Sequence, residues 1–171
     1  DTREKLKAYI RGLIISNNIN IYARNTDVTE INNNELAKNF IDKYHLQCWV
    51  NSNIVIGSYY KGELISIMTF GKPRFNSNCD YELLRFCSKQ GYNVVGAFSK
   101  MLKYFISRYS VDSIVSYVDI SKFTGNSYLK SGFKAECVTE PSYVWISCDD
   151  NAVLSRYQTQ KHKLLDSNLG L

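Results

Sequence analysis

Arg85 stands inside an apolar run, Leu83-Leu84-Arg85-Phe86-Cys87. A guanidinium in a buried strand needs a partner, and Glu82 and Asp119 are the carboxylates that can supply it. Asp119 follows the strand-like stretch Ser113–Val118. At a strand's C-terminal end it can act as a base, anchor an amine or cap the next loop. Tyr128 belongs to a short helix expected at about Gly125–Lys130, near the edge where ligands of parallel sheets collect. Gly96 opens a helix whose first N–H groups lack partners within the helix, which makes a seat for a phosphate or pyrophosphate. Without a Cβ it lets such a group come close to the backbone. His45 follows a helix end and reads either as a cap or as a proton shuttle.

These residues meet only if the elements between them form one sheet. Tyr81–Phe133 reads as strand, loop, helix, strand, loop, helix. The turn-like Ser88-Lys89-Gln90-Gly91 closes the first strand. In FSKMLKYFISRY, residues Phe98, Met101, Leu102, Phe105 and Ile106 recur at helical spacing. Two strands joined by such a helix are parallel, with a right-handed crossover. Upstream, the spacing predicts an amphipathic helix over 2–15, a strand at Ile21–Arg24 and a helix at Glu35–Tyr44. The strands Ile54–Tyr60 and Leu64–Phe70 flank a Lys-Gly-Glu hairpin turn. A last strand is expected at Tyr143–Ser147. The fold class is therefore α/β, an α+β mixed sheet with helices on both faces.

A chain of 171 residues suffices for one domain with a real core, and no apolar run reaches the ~20 residues of a membrane span. Residues 1–18 are expected to form an N-terminal helix, either packed on the domain or the remnant of an upstream one. Residues 19–171 are expected to form a single domain with a basic tail. Five cysteines, at 48, 79, 87, 137 and 148, lack metal-ligand spacing, so no metal site is expected. Cys48, Cys87 and Cys148 sit in apolar company and read as buried free thiols. The net charge of +5 permits nucleic-acid binding without requiring it. Lys72, Arg74, Lys122, Arg156, Lys161 and Lys163 are candidates for phosphate contacts. Tyr59, Tyr60, Phe75 and Phe123 are candidate stacking groups, each with a core or rim role as the alternative.

Taken together, the hairpin, YELLRFCSK, VVGAFSKML and SYLKSGF resemble the GNAT family of N-acyltransferases over roughly residues 20–148. The last segment is similar to that family's Tyr-x-Lys-x-Gly-Phe ending. The resemblance implies a central twisted mixed sheet flanked by helices. It implies acetyl-coenzyme A or another acyl-coenzyme A as donor, held by Val94, Val95, Gly96, Ala97, Phe98, Ser99 and Lys100. It implies Tyr128 as the acid for the leaving thiolate and Glu82 as an alternative base. In the family's loop, Arg or Gln precedes the first glycine and Gly or Ala follows it. Asn93 and Phe98 occupy those places here.

A narrower set, His45, ELLRF, YVD and GNSY with the basic tail, resembles the phage Mom-like DNA-modification family. It is also similar to a domain of phage Hef-like homing endonucleases. This implies a polar set of His45, Arg85, Asp119 and Tyr128, DNA as partner, and the cytoplasm of a phage-infected bacterium. An upstream nuclease domain in a longer chain fits the same resemblance. A duplex substrate would have to be flipped out, at a cost of a few kcal/mol. Two other functions stay open: a DNA-binding accessory domain without transferase activity, and an acetyltransferase acting on protein lysine or a small amine.

Overall fold

The computed structural model describes residues 2–14, 19–141, 143–148, 151–156 and 159–160. The chain divides into two compact units, Asp1–Lys134 and Ala135–Leu171. Among the described residues no helix is long and apolar enough to cross a membrane.

The first unit is built on a five-stranded mixed sheet. In chain order its elements are α1 (Thr2–Ile14), β1 (Ile19–Tyr22), β2 (Asp27–Glu30), α2 (Asn34–Tyr44), β3 (Ile54–Tyr60), β4 (Glu63–Gly71), β5 (Tyr81–Ser88), β6 (Tyr92–Val95), α3 (Ala97–Tyr109), β7 (Ile114–Ser116) and α4 (Asn126–Lys130). The sheet order is β2-β3-β4-β5-β7. Its first three pairings are antiparallel, and β5 pairs β7 in parallel, as the crossover through α3 requires. Lys61 and Gly62 join β3 to β4, and both have positive φ (51° and 79°), which the two-residue hairpin turn demands.

Helices cover both faces, which is why β3 and β4 are buried almost throughout and show little alternation. On one face, Ala37, Phe40 and Ile41 of α2 pack with Ile31, Val55, Ile67 and Cys87. Asn33 caps α2, its Oδ1 accepting the Leu36 N–H at 3.0 Å. On the other face, Ala97, Phe98, Met101, Leu102 and Phe105 of α3 pack with Ile54, Ile56, Met68, Phe70 and Leu83. Phe105 stacks on Phe70 with ring centroids 3.5 Å apart and meets Tyr81 edge-on.

The elements depart from expectation where polar sequence carries backbone pairing. The strand expected at Ile21–Arg24 lies at Ile19–Tyr22, because Thr26 closes a 3-10 turn over residues 23–25 through its hydroxyl and N–H to Ala23 O. β2, with the polar sequence DVTE, is the edge strand beside β3. β6 pairs with β1 in a separate two-stranded parallel sheet. β7 stops at Ser116 rather than Val118. On α1, Lys5 Nζ donates to His45 O at 3.5 Å and to Cys48 Sγ at 3.1 Å.

The second unit holds an antiparallel hairpin of β8 (Val144–Ile146) and β9 (Val153–Ser155). Cys148, expected to be buried, is exposed in that hairpin's turn region, whereas Cys87 is buried and Cys48 half-buried. Burial pushes the Cys87 thiol up to about 12, so it stays protonated and inert.

Candidate functional site

Two departures from regular pairing make the site. The first is in β5. Phe70 pairs with Leu83 and Thr69 with Arg85, so Leu84 is an extra residue with no counterpart on β4. In a regular strand Arg85 would share the face of Leu83, which packs toward α3. The bulge turns Arg85 to the α2 side instead, where its guanidinium reaches the segment after that helix. Gly71 makes room: a Cβ there would lie 2.8 Å from Leu84 Cδ1.

The second departure is the short pairing of β5 with β7, which covers only Tyr81–Leu83 against Ile114–Ser116. Beyond it the chains part. A cavity of about 380 Å³ opens there, with Leu83, Leu84 and Arg85 on one side and Tyr117, Val118 and Asp119 on the other. Gln47, Arg74 and Glu82 complete its lining.

The structure assigns the charges in that cavity differently from the pairing expected of Arg85. Glu82 is 1% exposed and accepts the Arg74 N–H at 2.8 Å, Arg74 Nε at 3.0 Å and Arg74 Nη2 at 2.5 Å. Asp119 accepts the Ser121 N–H at 3.1 Å and hydroxyl at 2.5 Å, and pairs with Lys122. The hydrogen bonds from Lys122 and Ser121 hold its carboxyl down at about 2. Arg85 binds neither carboxylate. Its guanidinium donates to three backbone carbonyls: Cys48 O at 2.9 Å, Leu84 O at 2.8 Å and Gln47 O at 3.5 Å. Burial first, and then the like charge of Arg74, disfavour its charged form.

Of the expected polar set, His45 and Tyr128 lie within the field of Arg85, while Asp119 is engaged by Ser121 and Lys122. Burial, Arg85 and Lys5 lower the His45 imidazole to about 4. His45 is thus neutral at pH 7, with Nδ1 accepting the Gln47 N–H at 3.1 Å. Tyr128 of α4 also feels Arg85, and its phenol is hydrogen-bonded to Ser116. Burial raises that phenol, against the opposing effects of Ser116 and Arg85. Ser116 Oγ in turn donates to Leu83 O at 3.0 Å, the last paired position of β5 and β7. The Tyr128 ring lies 4.9 Å from that of Phe98, in the first turn of α3. Tyr128 therefore spans from the start of α3 to the point where the strands part.

At that helix start, Gly96 is the N-cap with φ +83° and provides no side-chain cap. Phe98 does not fill the loop; it is 7% exposed, and its ring turns inward against Phe86, Tyr128 and Phe133. Ala97 is also buried, and Val94 packs against the core while Val95 is exposed. Ser99 Oγ bonds Ser131 Oγ at 2.7 Å. Lys100 Nζ is held by Ala23 O at 2.9 Å and by Thr26 O. A ligand at this loop is thus left the backbone N–H groups, as the helix-end geometry implies.

Of the basic residues, Arg74 and Lys122 are engaged by Glu82 and Asp119, and Lys72 is exposed. Arg156 lies over the Tyr143 ring in the second unit, and Lys161 and Lys163 fall outside the described residues. Phe75 is 78% exposed and meets Tyr117 edge-on, with centroids 5.6 Å apart. The Arg74 guanidinium covers its ring at 5.6 Å. Sequence reasoning missed Tyr117, although its place directly after an apolar strand was a usable signal. It also missed Gln47 and Cys48, which act through carbonyls that carry no side-chain signature.

No family model matches the sequence, and no curated protein does. Solved structures match the fold. An aminoglycoside acetyltransferase from an uncultured soil metagenomic sample, in complex with sisomicin, superposes with a TM-score of 0.51 at 11% identity, over 72% of this chain and 98% of that one. A GNAT family acetyltransferase of Streptococcus pneumoniae gives 0.50 at 12% identity, with the same two coverages. The fold is that of the GNAT acyltransferases. The mixed central sheet flanked by helices is the architecture the sequence resemblance implies.

Proposed function

We propose that this chain transfers an acyl group from acyl-coenzyme A to an amine, and that the amine belongs to a base of DNA. The observation that carries the transferase reading is Tyr128, whose ring packs on Phe98 at the start of α3 and whose phenol is hydrogen-bonded to Ser116, the last residue of β7 paired with β5. The left-handed Gly96 and the free N–H groups after it suit a pyrophosphate, and the inward turn of Phe98 leaves that seat clear. Bound there, acyl-coenzyme A supplies an activated thioester carbonyl. Tyr128 Oη, kept protonated by burial, holds the proton that a leaving thiolate needs. Arg74 and Glu82 fix one wall of the cavity, and the exposed Phe75 beside Tyr117 offers a ring for a planar acceptor at its mouth. The Mom-like resemblance of His45, Arg85, Asp119 and Tyr128 supports DNA as the source of that acceptor.

A second reading, a DNA-binding module without transferase activity, has one observation in its favour. Asn93, where the family's loop has Arg or Gln, donates its amide to Asn20 Oδ1 at 2.8 Å. Thermal stability with and without acetyl-coenzyme A separates the two. A ligand at a hundred times its dissociation constant adds roughly 2.7 kcal/mol to the folded state. The expected result is that gain, lost in a folded Gly96→Trp variant, followed by transfer of labelled acetyl to DNA. No stabilisation at millimolar acetyl-coenzyme A overturns the transferase reading. Transfer to a lysine peptide or a polyamine but not to DNA overturns the acceptor.

A further inference from the structure

We infer that the cavity around Arg85 is an anion subsite that binds a carboxylate or phosphate group of the acceptor. The name "acceptor" rests on the transferase reading; the binding of an anion does not. Glu82 has its carboxylate oxygens occupied by Arg74, and Asp119 has its own occupied by Ser121 and Lys122. Among the described residues Arg85 has no ion-pair partner, although it is half-buried in the same lining. Glu82 lies within its field without bonding it. A guanidinium desolvated in this way is compensated either by protein or by ligand, and here the protein contributes only carbonyl oxygens. Those carbonyls, from Cys48, Leu84 and Gln47, also fix its plane. They occupy three of the five guanidinium N–H donors, and the rest remain for a planar two-oxygen anion. The bulge at Leu84 is what places this charge on the cavity side of β5 rather than in the core against α3. Tyr117 lines the same cavity and Phe75 meets its ring edge-on, so an acceptor with a ring and an anionic group matches both features.

The test is titration of the intact chain with sodium phosphate and, separately, sodium acetate at constant ionic strength, followed by NMR of the arginine Nε–H resonances. The expected result is a saturable millimolar shift of the Arg85 resonance, with affinity reduced about tenfold or more in Arg85→Gln. Arg85→Lys, which keeps the charge without the fork, should lose less. Acetyl-coenzyme A affinity should be unchanged in Arg85→Gln, and Gly96→Trp should leave the Arg85 titration intact, so the two sites fail separately. A response to acetate alone assigns a carboxylate acceptor, and to phosphate alone a phosphorylated one. If neither anion moves the Arg85 resonance in the wild-type protein, or if Arg85→Gln binds both unchanged, the inference is overturned. The wild-type titration decides the matter even where a variant does not fold.

Discussion

His45 makes the fold sensitive to mild acid. Its imidazole is lowered from 6.5 to about 4 by burial, by Arg85 and by Lys5, so the folded chain keeps it neutral while the unfolded chain protonates it near 6.5. Between those values the unfolded state binds the extra proton, and stability falls as pH falls. Below about 4 both states are protonated and the effect levels off. At roughly 1.4 kcal/mol per pH unit, the gap amounts to ~3 kcal/mol, a large share of a typical 5–15 kcal/mol. The perturbation is His45→Asn. An asparagine there can still accept the Gln47 N–H through its side-chain oxygen, as an Asx-turn, but it does not titrate. Asp80, Asp119 and Glu63 also have lowered carboxyls, so their stabilisation is present above the ordinary carboxylate range and lost below it in both proteins alike. The difference between the two proteins isolates the imidazole. Urea denaturation at pH 7 and pH 4 should show the wild type losing ~3 kcal/mol more than His45→Asn. A difference under about 0.5 kcal/mol, within the error of such extrapolations, would refute the burial of the His45 imidazole near two cations.

Tyr128→Phe should lower kcat by about 10²–10⁴, the usual range for a lost general acid, with acetyl-coenzyme A affinity unchanged; equal activity in a steady-state assay removes Tyr128 from the chemistry. Gly96→Ala puts a Cβ on a residue at φ +83° and 3.6 Å from the Ala23 Cβ, so strain rather than a clash should cost about 1–2 kcal/mol in thermal unfolding and weaken the donor. Arg74→Ala leaves the Glu82 carboxylate, 1% exposed, with only a backbone N–H donor. It should cost about 3–5 kcal/mol in urea, with much of that recovered in the Arg74→Ala, Glu82→Gln double variant.

The apolar framework of the first unit was readable because helical spacing and long buried strands leave strong patterns. Phe98, Met101, Leu102 and Phe105 mark α3, and the Lys-Gly turn marks its hairpin. β2 and β6 were not readable, since DVTE and YNVV pair through backbone at sheet edges without an apolar signature. The site was readable as a list of residues but not as a set of pairings. Regular alternation would put Glu82 and Arg85, three residues apart, on opposite faces; the bulge at Leu84 brings both to the cavity, where Arg74 rather than Arg85 takes the Glu82 carboxylate. Asp119 looks available as a base until the fold of Ser121-Lys122 back onto it is seen. Phe98 looks like an obstruction in the loop, and only its packing against Phe86 and Tyr128 shows that the ring points away.

The occupied carboxylates bear on which amine the cavity can serve. An alkylamine is an ammonium at pH 7 and must lose a proton before it can attack a carbonyl, which calls for a base with a free lone pair and a suitable pKa. Asp119 at about 2 is too weak a base, Glu82 has both oxygens bonded by Arg74, and His45 at about 4 has its Nδ1 engaged by Gln47. Arg85, moreover, would repel an ammonium. A weakly basic amine attached to an aromatic ring arrives uncharged, so it needs no prior deprotonation and is not repelled by Arg85; the proton it loses on forming the amide still has to leave to solvent or to the departing thiolate. Its flat ring also suits the Phe75 and Tyr117 pair. Under the proposed transferase reading, the unpaired charge of Arg85 thus sets lysine side chains and polyamines against the amino group of a nucleobase as the acceptors to compare.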